Sequence, residues 1–317
     1  AMARRAGVNL TLEALDAMGR RVPVLANLFP SGDRLMEDFH YAGGMPALMN
    51  RIREHLNLEA MTVTGRTLYE NIAGRESQDD EVIRPMARPV SESGALALLR
   101  GNLAPQGAVM KTSAASPKYF KHTGRALVFD SPAEMNARCA DPALECDENT
   151  VLVLRNAGPV GAPGMPEWGG LPIPRKLLDL GVRDMVRISD ARMSGTHYGT
   201  CILHVSPEAA VGGALALVQT GDLIALDVAA RSLELLVDEE ELACRRQAWK
   251  APVTPYARGY VRMYQQHGEG RKPFLDWVRD DYDEAELRRR AHIANVMQDQ
   301  AGEKIAGGRN PDRKSVV

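Results

Sequence analysis

The chain has 317 residues, a formal net charge of -2 and an aromatic content of only 5%. A net charge this close to zero gives no reason to expect nucleic-acid binding. The sequence contains no run of eighteen apolar residues and no amino-terminal signal pattern, so neither a membrane span nor a secreted protein is predicted. We therefore expect a soluble cytoplasmic protein whose core is filled mainly by Leu, Val, Ala and Met.

The first 75 residues show helices alternating with a short apolar run. Residues 10–20 have the spacing of an amphipathic helix, and residues 22–26 form an apolar run of the strand type. A further helix is predicted after Pro30, interrupted at Gly43-Gly44 and resumed through Leu56. This alternation is typical of one edge of an α/β layer, so residues 1–75 are predicted to be the carboxy-terminal part of an α/β domain.

A change of pattern follows near residue 90. Residues 76–89 are charged and proline-punctuated, which favours a linker. Short apolar segments separated by Gly, Pro and Asp then favour a β-barrel or β-rich domain over residues 90–275. Two helices are predicted within it, at 131–140 with Ser131 as its cap and at 173–180. The predicted strands are 96–99, 108–110, 126–129, 151–154, 185–188, 201–205, 215–218, 223–226 and 232–236.

The carboxy-terminal part is predicted to be helical and charged. Helical spacing covers residues 239–249, 255–267 and 284–297, and residues 276–317 are interpreted as a helical tail with a disordered end. The four cysteines, Cys139, Cys146, Cys201 and Cys244, include no pair with the two-residue spacing of metal and redox motifs. We therefore expect free thiols rather than cluster ligands.

Two glycine-containing loops carry the candidate site. The first spans residues 164–170 and the second 189–200, and their glycines allow a ligand to approach the backbone closely. Each loop offers one group with strong chemistry, Glu167 in the first and Ser194 in the second. From the residues alone, a loop glutamate is more often a solvated charge, and a loop serine is more often a turn residue.

Two other interpretations of the second loop are disfavoured. A serine hydrolase elbow requires glycine two residues before and after the serine, where this chain has Arg192 and Thr196. His197 lies only three residues from Ser194, which is not the arrangement of a catalytic triad. Lys111 and Arg192 are candidate contacts for an anionic substrate, although a structural role is equally open.

Four sequence motifs together carry a resemblance to a known family. They are Gly-Asn-Leu-Ala-Pro-Gln-Gly at 101–107, Pro-Gly-Met-Pro-Glu at 163–167, Asp-Ala-Arg-Met-Ser-Gly-Thr at 190–196 and His-Val-Ser-Pro-Glu-Ala-Ala at 204–210. In this order they resemble the dihydroxy-acid and sugar-acid dehydratases, over about the first 275 residues. The resemblance implies a swivelling β/α-barrel domain packed against an α/β domain, in a homodimer or homotetramer.

The resemblance also implies a reaction and residue roles. The reaction is removal of water from a 2,3-dihydroxy acid to give a 2-keto-3-deoxy acid, with a sugar acid such as an aldonate favoured as substrate. Ser194 would be the base at carbon 2 and Glu167 a magnesium ligand. Gly195, Thr196 and His197 would contact the substrate.

The family's amino-terminal half has no counterpart in this sequence. In the family that half supplies cysteines for an iron-sulfur cluster and an Asp-Lys pair for magnesium. We therefore expect this chain to be the carboxy-terminal portion of such an enzyme, partnered by that half and inactive alone. A non-catalytic β-barrel interaction module and a branched-chain dihydroxy-acid dehydratase of amino-acid biosynthesis are the alternatives.

Overall fold

A computed structural model describes residues 7–162, 171–193, 197–253, 256–259, 261–262 and 265. The chain divides into two compact units, Ala1–Trp277 and Val278–Val317, and every described residue belongs to the first. The predicted helix 284–297 and the predicted tail 276–317 lie outside the described residues, as does most of the predicted helix 255–267.

Short helices form the amino-terminal part. Helix α1 is Leu12–Arg21, α2 is Met36–Tyr41, α3 is Gly44–Arg51 and α4 is Leu68–Ile72, with a 3-10 turn at Arg53–His55. The Thr11 hydroxyl accepts the Ala14 N–H at 3.1 Å, which satisfies a backbone donor in the first turn of α1. The helices predicted at 10–20 and after Pro30 are confirmed by α1, α2 and α3.

The predicted strand at 22–26 is wrong. This segment forms only isolated bridges, from Val24 to Ser91 and from Ala26 to Ile83. The segment opposite contains Pro85 and Pro89, which have no backbone N–H to donate. A continuous ladder cannot form against it, so the apolar run remains a pair of bridges.

The amino-terminal part has a small core and an extensive apolar surface. Phe39, Ala42, Ala47, Val82 and Ile83 pack together as a buried cluster. Several large apolar side chains of the same part are exposed instead: Phe29, Leu35, Met36, Tyr41, Met45, Met61, Val63 and Tyr69.

A mixed sheet with barrel-like closure follows. Its eight strands, in the order β1-β2-β6-β5-β4-β3-β7-β8, are β1 Ala97–Leu99, β2 Gly107–Met110, β3 Lys121–Phe129, β4 Val151–Leu154, β5 Arg187–Ser189, β6 Cys201–Ser206, β7 Leu223–Asp227 and β8 Ser232–Leu235. Strands β3, β4, β5 and β6 are mutually parallel, and the other pairings are antiparallel. Three helices accompany the sheet, α5 Pro132–Ala140, α6 Arg175–Asp179 and α7 Glu239–Ala248. The predicted combination of an α/β part with a β-rich part is confirmed.

Backbone and side-chain hydrogen bonds join β1 and β8, the first and last strands of the sheet. Arg100, directly after β1, forms a parallel bridge with Ser232 of β8. The Asn102 side chain both donates to the Leu235 carbonyl at 2.8 Å and accepts the Leu235 N–H at 2.7 Å. Asn102 therefore extends the pairing of β1 with β8 beyond the single backbone bridge.

Two strand predictions differ from the structure. Residues 215–218 do not form a strand, since a 3-10 turn covers Ala214–Leu217 with Leu215 and Leu217 buried. A short buried apolar run cannot be assigned from periodicity alone, and this run is not paired with a neighbour. Strand β3 begins five residues before its predicted start, because residues 121–125 pair with β7. Every helix in the described part of the chain is too short or too polar to cross a bilayer.

Candidate active site

Two connections between parallel strands begin at the same edge of the sheet. Leu154 at the end of β4 is level with Ser189 at the end of β5, so residues 155 and 190 leave the sheet side by side. The first connection, residues 155–174, leads from β4 to α6, and the second, residues 190–200, leads from β5 to β6. Ligands of sheets with parallel strands commonly bind where the carboxyl ends of such strands meet.

The predicted site residues fall within these connections. Glu167 in the first connection and Ser194, Gly195 and Thr196 in the second lie outside the described residues. His197 is described, and it is half-buried in the second connection. The roles assigned to these five residues therefore stay predictions.

A buried carboxylate joins the starts of the two connections. Asp190 is 1% exposed, and it accepts the backbone N–H of Ala157 at 3.0 Å. Its second oxygen accepts the N–H of Ala209 at 2.9 Å, just after β6. Burial raises the pKa of Asp190 to about 6, and the N–H donors oppose that rise. One side chain thus ties together the chain segments that follow β4, β5 and β6.

A second buried carboxylate holds the first connection. Glu208 is 2% exposed and accepts the Val160 N–H at 2.8 Å and the Gly161 N–H at 3.1 Å. A Cβ atom placed on Gly158 would lie 2.4 Å from a Glu208 oxygen, so the close approach requires glycine. Burial, together with the neighbouring Asp190 charge, raises the pKa of Glu208 to about 7.

One arginine holds the returning ends of both connections. The Arg187 guanidinium donates to the Leu171 carbonyl at 2.8 Å and to the Tyr198 carbonyl at 3.0 Å. Asp184 lies 3.4 Å from the same guanidinium and accepts both the backbone N–H and the hydroxyl of Thr200 at 2.7 Å. The two connections are therefore joined where they begin and again where they end.

His204 occupies an irregular position in β6. Its φ of 56° lies in the left-handed region, and the pairing of β2 with β6 shifts register beside it. Its backbone N–H donates to the Ala191 carbonyl of the second connection at 3.1 Å. Burial, with a smaller contribution from the Arg192 charge, lowers the pKa of His204 to about 4, so the imidazole is neutral at pH 7. The predicted strand at 201–205, which includes His204, is confirmed by β6.

The amino-terminal part reaches the opposite edge of the sheet. The hydroxyl oxygens of Ser31 and Ser113 lie 2.8 Å apart, and the Gly199 N–H donates to the Ala114 carbonyl at 2.9 Å. Lys111 is half-buried nearby in sequence, and burial lowers its pKa. The end of the second connection is thus bonded to a segment that also contacts Ser31.

The described residues do not by themselves form a metal or cluster site. Among residues 7–162, 171–193, 197–253 and the few described beyond them, no three His, Cys, Asp or Glu side chains come together as metal ligands would. Asp190 and Glu208 direct their oxygens at backbone N–H groups. None of the four cysteines forms a disulfide, and burial raises the pKa of Cys139 to about 11.

The sequence did not identify Asp184, Arg187, Asp190 and Glu208 as the residues that hold the connections. A signal was present, because Asp184 and Arg187 are charges in an otherwise apolar segment. A charge in such a segment is buried only when it is paired.

Comparison with known proteins places these motifs in one family. The model described as dihydroxy-acid/6-phosphogluconate dehydratase C-terminal matches residues 81–271, and the corresponding N-terminal model matches residues 1–71. The expectation that the family's amino-terminal half has no counterpart in this sequence is therefore wrong for residues 1–71. The chain is 58% identical over 270 residues to the 6-deoxy-6-sulfo-D-gluconate dehydratase of Pseudomonas putida, covering 84% of this chain and 47% of that protein.

Two further relatives bear related names. The L-arabinonate dehydratase of Rhizobium leguminosarum is 48% identical over 272 residues, 85% of this chain and 47% of its own length. The dihydroxy-acid dehydratase of Moorella thermoacetica is 45% identical over 267 residues, 83% of this chain and 48% of its own length. The chain spans about half the length of the curated relatives it matches.

Proposed function

This chain belongs to the dihydroxy-acid/6-phosphogluconate dehydratase family, and we propose that it is the carboxy-terminal portion of a hydro-lyase acting on a 2,3-dihydroxy acid. The product is a 2-keto-3-deoxy acid. The observation that carries this proposal is the joining of two adjacent connections, one containing Glu167 and the other Ser194, by Asp190 at one edge and Arg187 at the other.

A sugar acid is the proposed substrate class. The relatives named for sugar acids or a sulfo-sugar acid are 58% and 48% identical to this chain, whereas the relative named dihydroxy-acid dehydratase is 45% identical. The sequences at 168–174 and 194–198 favour the same class. A branched-chain dihydroxy acid is the second candidate.

Ser194 is proposed as the base at carbon 2. Its alkoxide takes the carbon-2 proton, the electron pair forms the double bond between carbons 2 and 3, and the carbon-3 hydroxyl leaves as water with the proton that the serine took, which restores the alkoxide. The resulting enol becomes the 2-keto acid. A serine hydroxyl is too weakly acidic to ionise unaided, so the backbone N–H groups of Gly195 and Thr196 are proposed to stabilise the alkoxide. His197 is proposed to contact the substrate.

Glu167 is proposed as one ligand of a magnesium ion. Carboxylate oxygen suits this cation, but a single carboxylate does not complete its shell. The remaining ligands, and the cysteines of an iron-sulfur cluster, are proposed to come from an amino-terminal portion of the enzyme. The exposed apolar side chains between Phe29 and Tyr69 support such a partner, because large apolar surfaces usually pack against another body.

We further propose that the isolated chain is inactive, and, from the family resemblance, that the complete enzyme is a cytoplasmic homodimer or homotetramer. The test uses the full-length gene product, kept anaerobic with added magnesium. Formation of 2-keto acid is measured with a panel of aldonates and with 2,3-dihydroxyisovalerate. A matched serine control is Ser93→Ala, at an exposed position outside the two connections.

Turnover by the wild type that falls by about 10²- to 10⁴-fold in Ser194→Ala, but not in Ser93→Ala, is the expected result. Turnover that survives in Ser194→Ala would remove this serine as the base. Absence of turnover with every substrate would favour the non-catalytic interaction module. Dehydration by the isolated chain would overturn the assignment of its inactivity.

A further inference from the structure

We propose that Glu208 is a positioning residue that fixes the first connection relative to the second, acting together with Asp190. This inference rests on the proposed function only for its effect on turnover. The coupling between the two connections is a property of the described structure and is measurable without a substrate.

The contacts of Glu208 and Asp190 form a closed ring through three segments of the chain. Glu208 accepts N–H bonds from Val160 and Gly161, in the first connection. The next residue, Ala209, donates its N–H to Asp190, which in turn accepts the N–H of Ala157. A displacement of Glu208 therefore moves the start of the first connection and, through Asp190, the start of the second.

The contacts at this position favour a hydrogen-bond acceptor at both side-chain oxygens of Glu208. Both Glu208 oxygens face backbone donors, since the Val160 N–H is 2.8 Å from one oxygen and 3.1 Å from the other. The second oxygen also receives the Gly161 N–H at 3.1 Å. Glutamine would place an NH₂ group, which has no acceptor, in one of these two positions. The glycine at 158 permits this approach, because a Cβ atom there would overlap the carboxylate.

The matched control is a half-buried carboxylate of the same barrel. Asp222 accepts the Gln219 N–H at 2.7 Å and pairs with Arg245 at 2.6 Å, with side chains 10% and 12% exposed. It holds a turn between residues 219 and 222 and contacts neither connection through these bonds. Asp222→Asn therefore removes a half-buried, hydrogen-bonded carboxylate without changing any contact of the ring.

The experiment measures amide hydrogen exchange by mass spectrometry in the full-length protein and in its Glu208→Gln, Asp190→Asn and Asp222→Asn variants. Glu208→Gln and Asp190→Asn are each expected to speed exchange about tenfold or more both at residues 157–162 and at residues 190–193. Asp222→Asn is expected to speed exchange only around residues 217–222.

Turnover supplies a second readout. Glu208→Gln is expected to lower kcat by about 10- to 100-fold with KM changed less than twofold, because a small misplacement of reacting groups slows the reaction without abolishing binding. A merely structural role would lower the melting temperature and leave kcat of the folded fraction unchanged.

Faster exchange confined to residues 157–162 in Glu208→Gln, with residues 190–193 unchanged, would overturn the inference. If Glu208→Gln does not fold, Gly158→Ala takes its place in the experiment. The added Cβ atom would overlap the Glu208 carboxylate without removing its charge, so exchange must again become faster in both regions. If exchange becomes faster in both regions but the protein dehydrates none of the substrates, this inference holds and the proposed function is wrong.

Discussion

The Arg187 guanidinium donates to the carbonyl of Tyr198 at 3.0 Å, from a position that is 4% exposed. Its other terminal nitrogen reaches the Leu171 carbonyl at 2.8 Å, so one planar group spans the ends of two connections that are 27 residues apart in sequence, from 171 to 198. A guanidinium can do this because its donors are fixed in a fork, whereas a lysine offers a single ammonium.

Arg187→Met is expected to lower the free energy of unfolding by about 3 to 5 kcal/mol, because it leaves Asp184 charged and buried without its cation. Urea denaturation measures the change. The control is Arg175→Met, which breaks the exposed pair of Arg175 with Asp179 and is expected to cost less than about 1 kcal/mol. Equal losses in the two variants would contradict the role given to Arg187.

Gly199→Ala is expected to destabilise the protein more than Gly181→Ala does. Both glycines have left-handed backbones, with φ of 102° and 87°, so both substitutions carry a similar strain of about 1 to 2 kcal/mol. A Cβ atom on Gly199 would lie 2.0 Å from the Arg187 guanidinium, whereas one on Gly181 would meet nothing within 4 Å. We expect an extra loss of about 1 to 3 kcal/mol at position 199 in thermal or urea unfolding. Equal losses of stability in the two variants would show that the Arg187 guanidinium moves away from the added Cβ atom at no cost in free energy.

The buried Glu208 is expected to make stability fall as pH rises. Its folded pKa is raised from 4.5 to about 7, so the folded state keeps a proton that the unfolded state has already released between these values. Stability is therefore highest below about pH 4.5 for this group and declines through about pH 7. At about 1.4 kcal/mol per pKa unit, the decline is roughly 3 kcal/mol.

Urea unfolding of the wild type and of Glu208→Gln across pH 5 to 8 measures this contribution as the difference between the two curves. The neighbouring Asp190, whose pKa burial raises to about 6, titrates in the same direction in both proteins. The stability of the wild type minus that of the variant should therefore increase as pH falls towards 5, because only the wild type regains stability as Glu208 takes up its proton. A constant difference would mean that Glu208 stays ionised throughout.

His204→Asn is expected to retain more stability than His204→Val. Both variants lose the imidazole, but asparagine tolerates a φ of 56°, whereas a β-branched residue does not. The strain of valine is expected to cost about 1 to 3 kcal/mol more, measured by thermal unfolding at pH 7. If valine proves the better substitute, the β6 backbone must relax into an ordinary extended form.

Asn102→Ala is expected to cost about 1 to 3 kcal/mol, because it leaves the N–H and carbonyl of Leu235 without the partners that Asn102 supplies. Asn149→Ala, at an exposed position before β4, is the control and is expected to change stability by less than about 0.5 kcal/mol. Urea unfolding compares the two variants. A neutral result at Asn102 would show that the backbone bridge at Arg100 holds the ends of the sheet alone.

The sequence predicted elements whose signals are local. Helix α5 begins where expected because the Ser131 hydroxyl accepts the Glu134 N–H at 3.2 Å, next to Pro132. Strand β4 was found as a short apolar run bounded by polar residues. The run at 215–218 gave the same signal and is not a strand, because strand pairing depends on a neighbour that local sequence does not specify.

The candidate site was predictable only in part. The glycine-containing motifs indicated the two connections and the residues assigned to the chemistry. The groups that hold the connections were not identified, because Glu208 and Asp190 hold the chain only through backbone N–H groups 19 to 48 positions away. A buried carboxylate is exceptional, and a sequence offers no means of knowing which acidic residues are enclosed.

The bridge between Arg100 and Ser232 also affects whether molecules of this protein associate through the edges of their sheets. A sheet with two open ends presents rows of free N–H and carbonyl groups, on which a strand from another molecule can add. Here the short strands β1 and β8 direct backbone groups to each other, and Asn102 takes up both backbone groups of Leu235. The closure that gives the sheet its barrel shape therefore also guards it against intermolecular strand addition and aggregation.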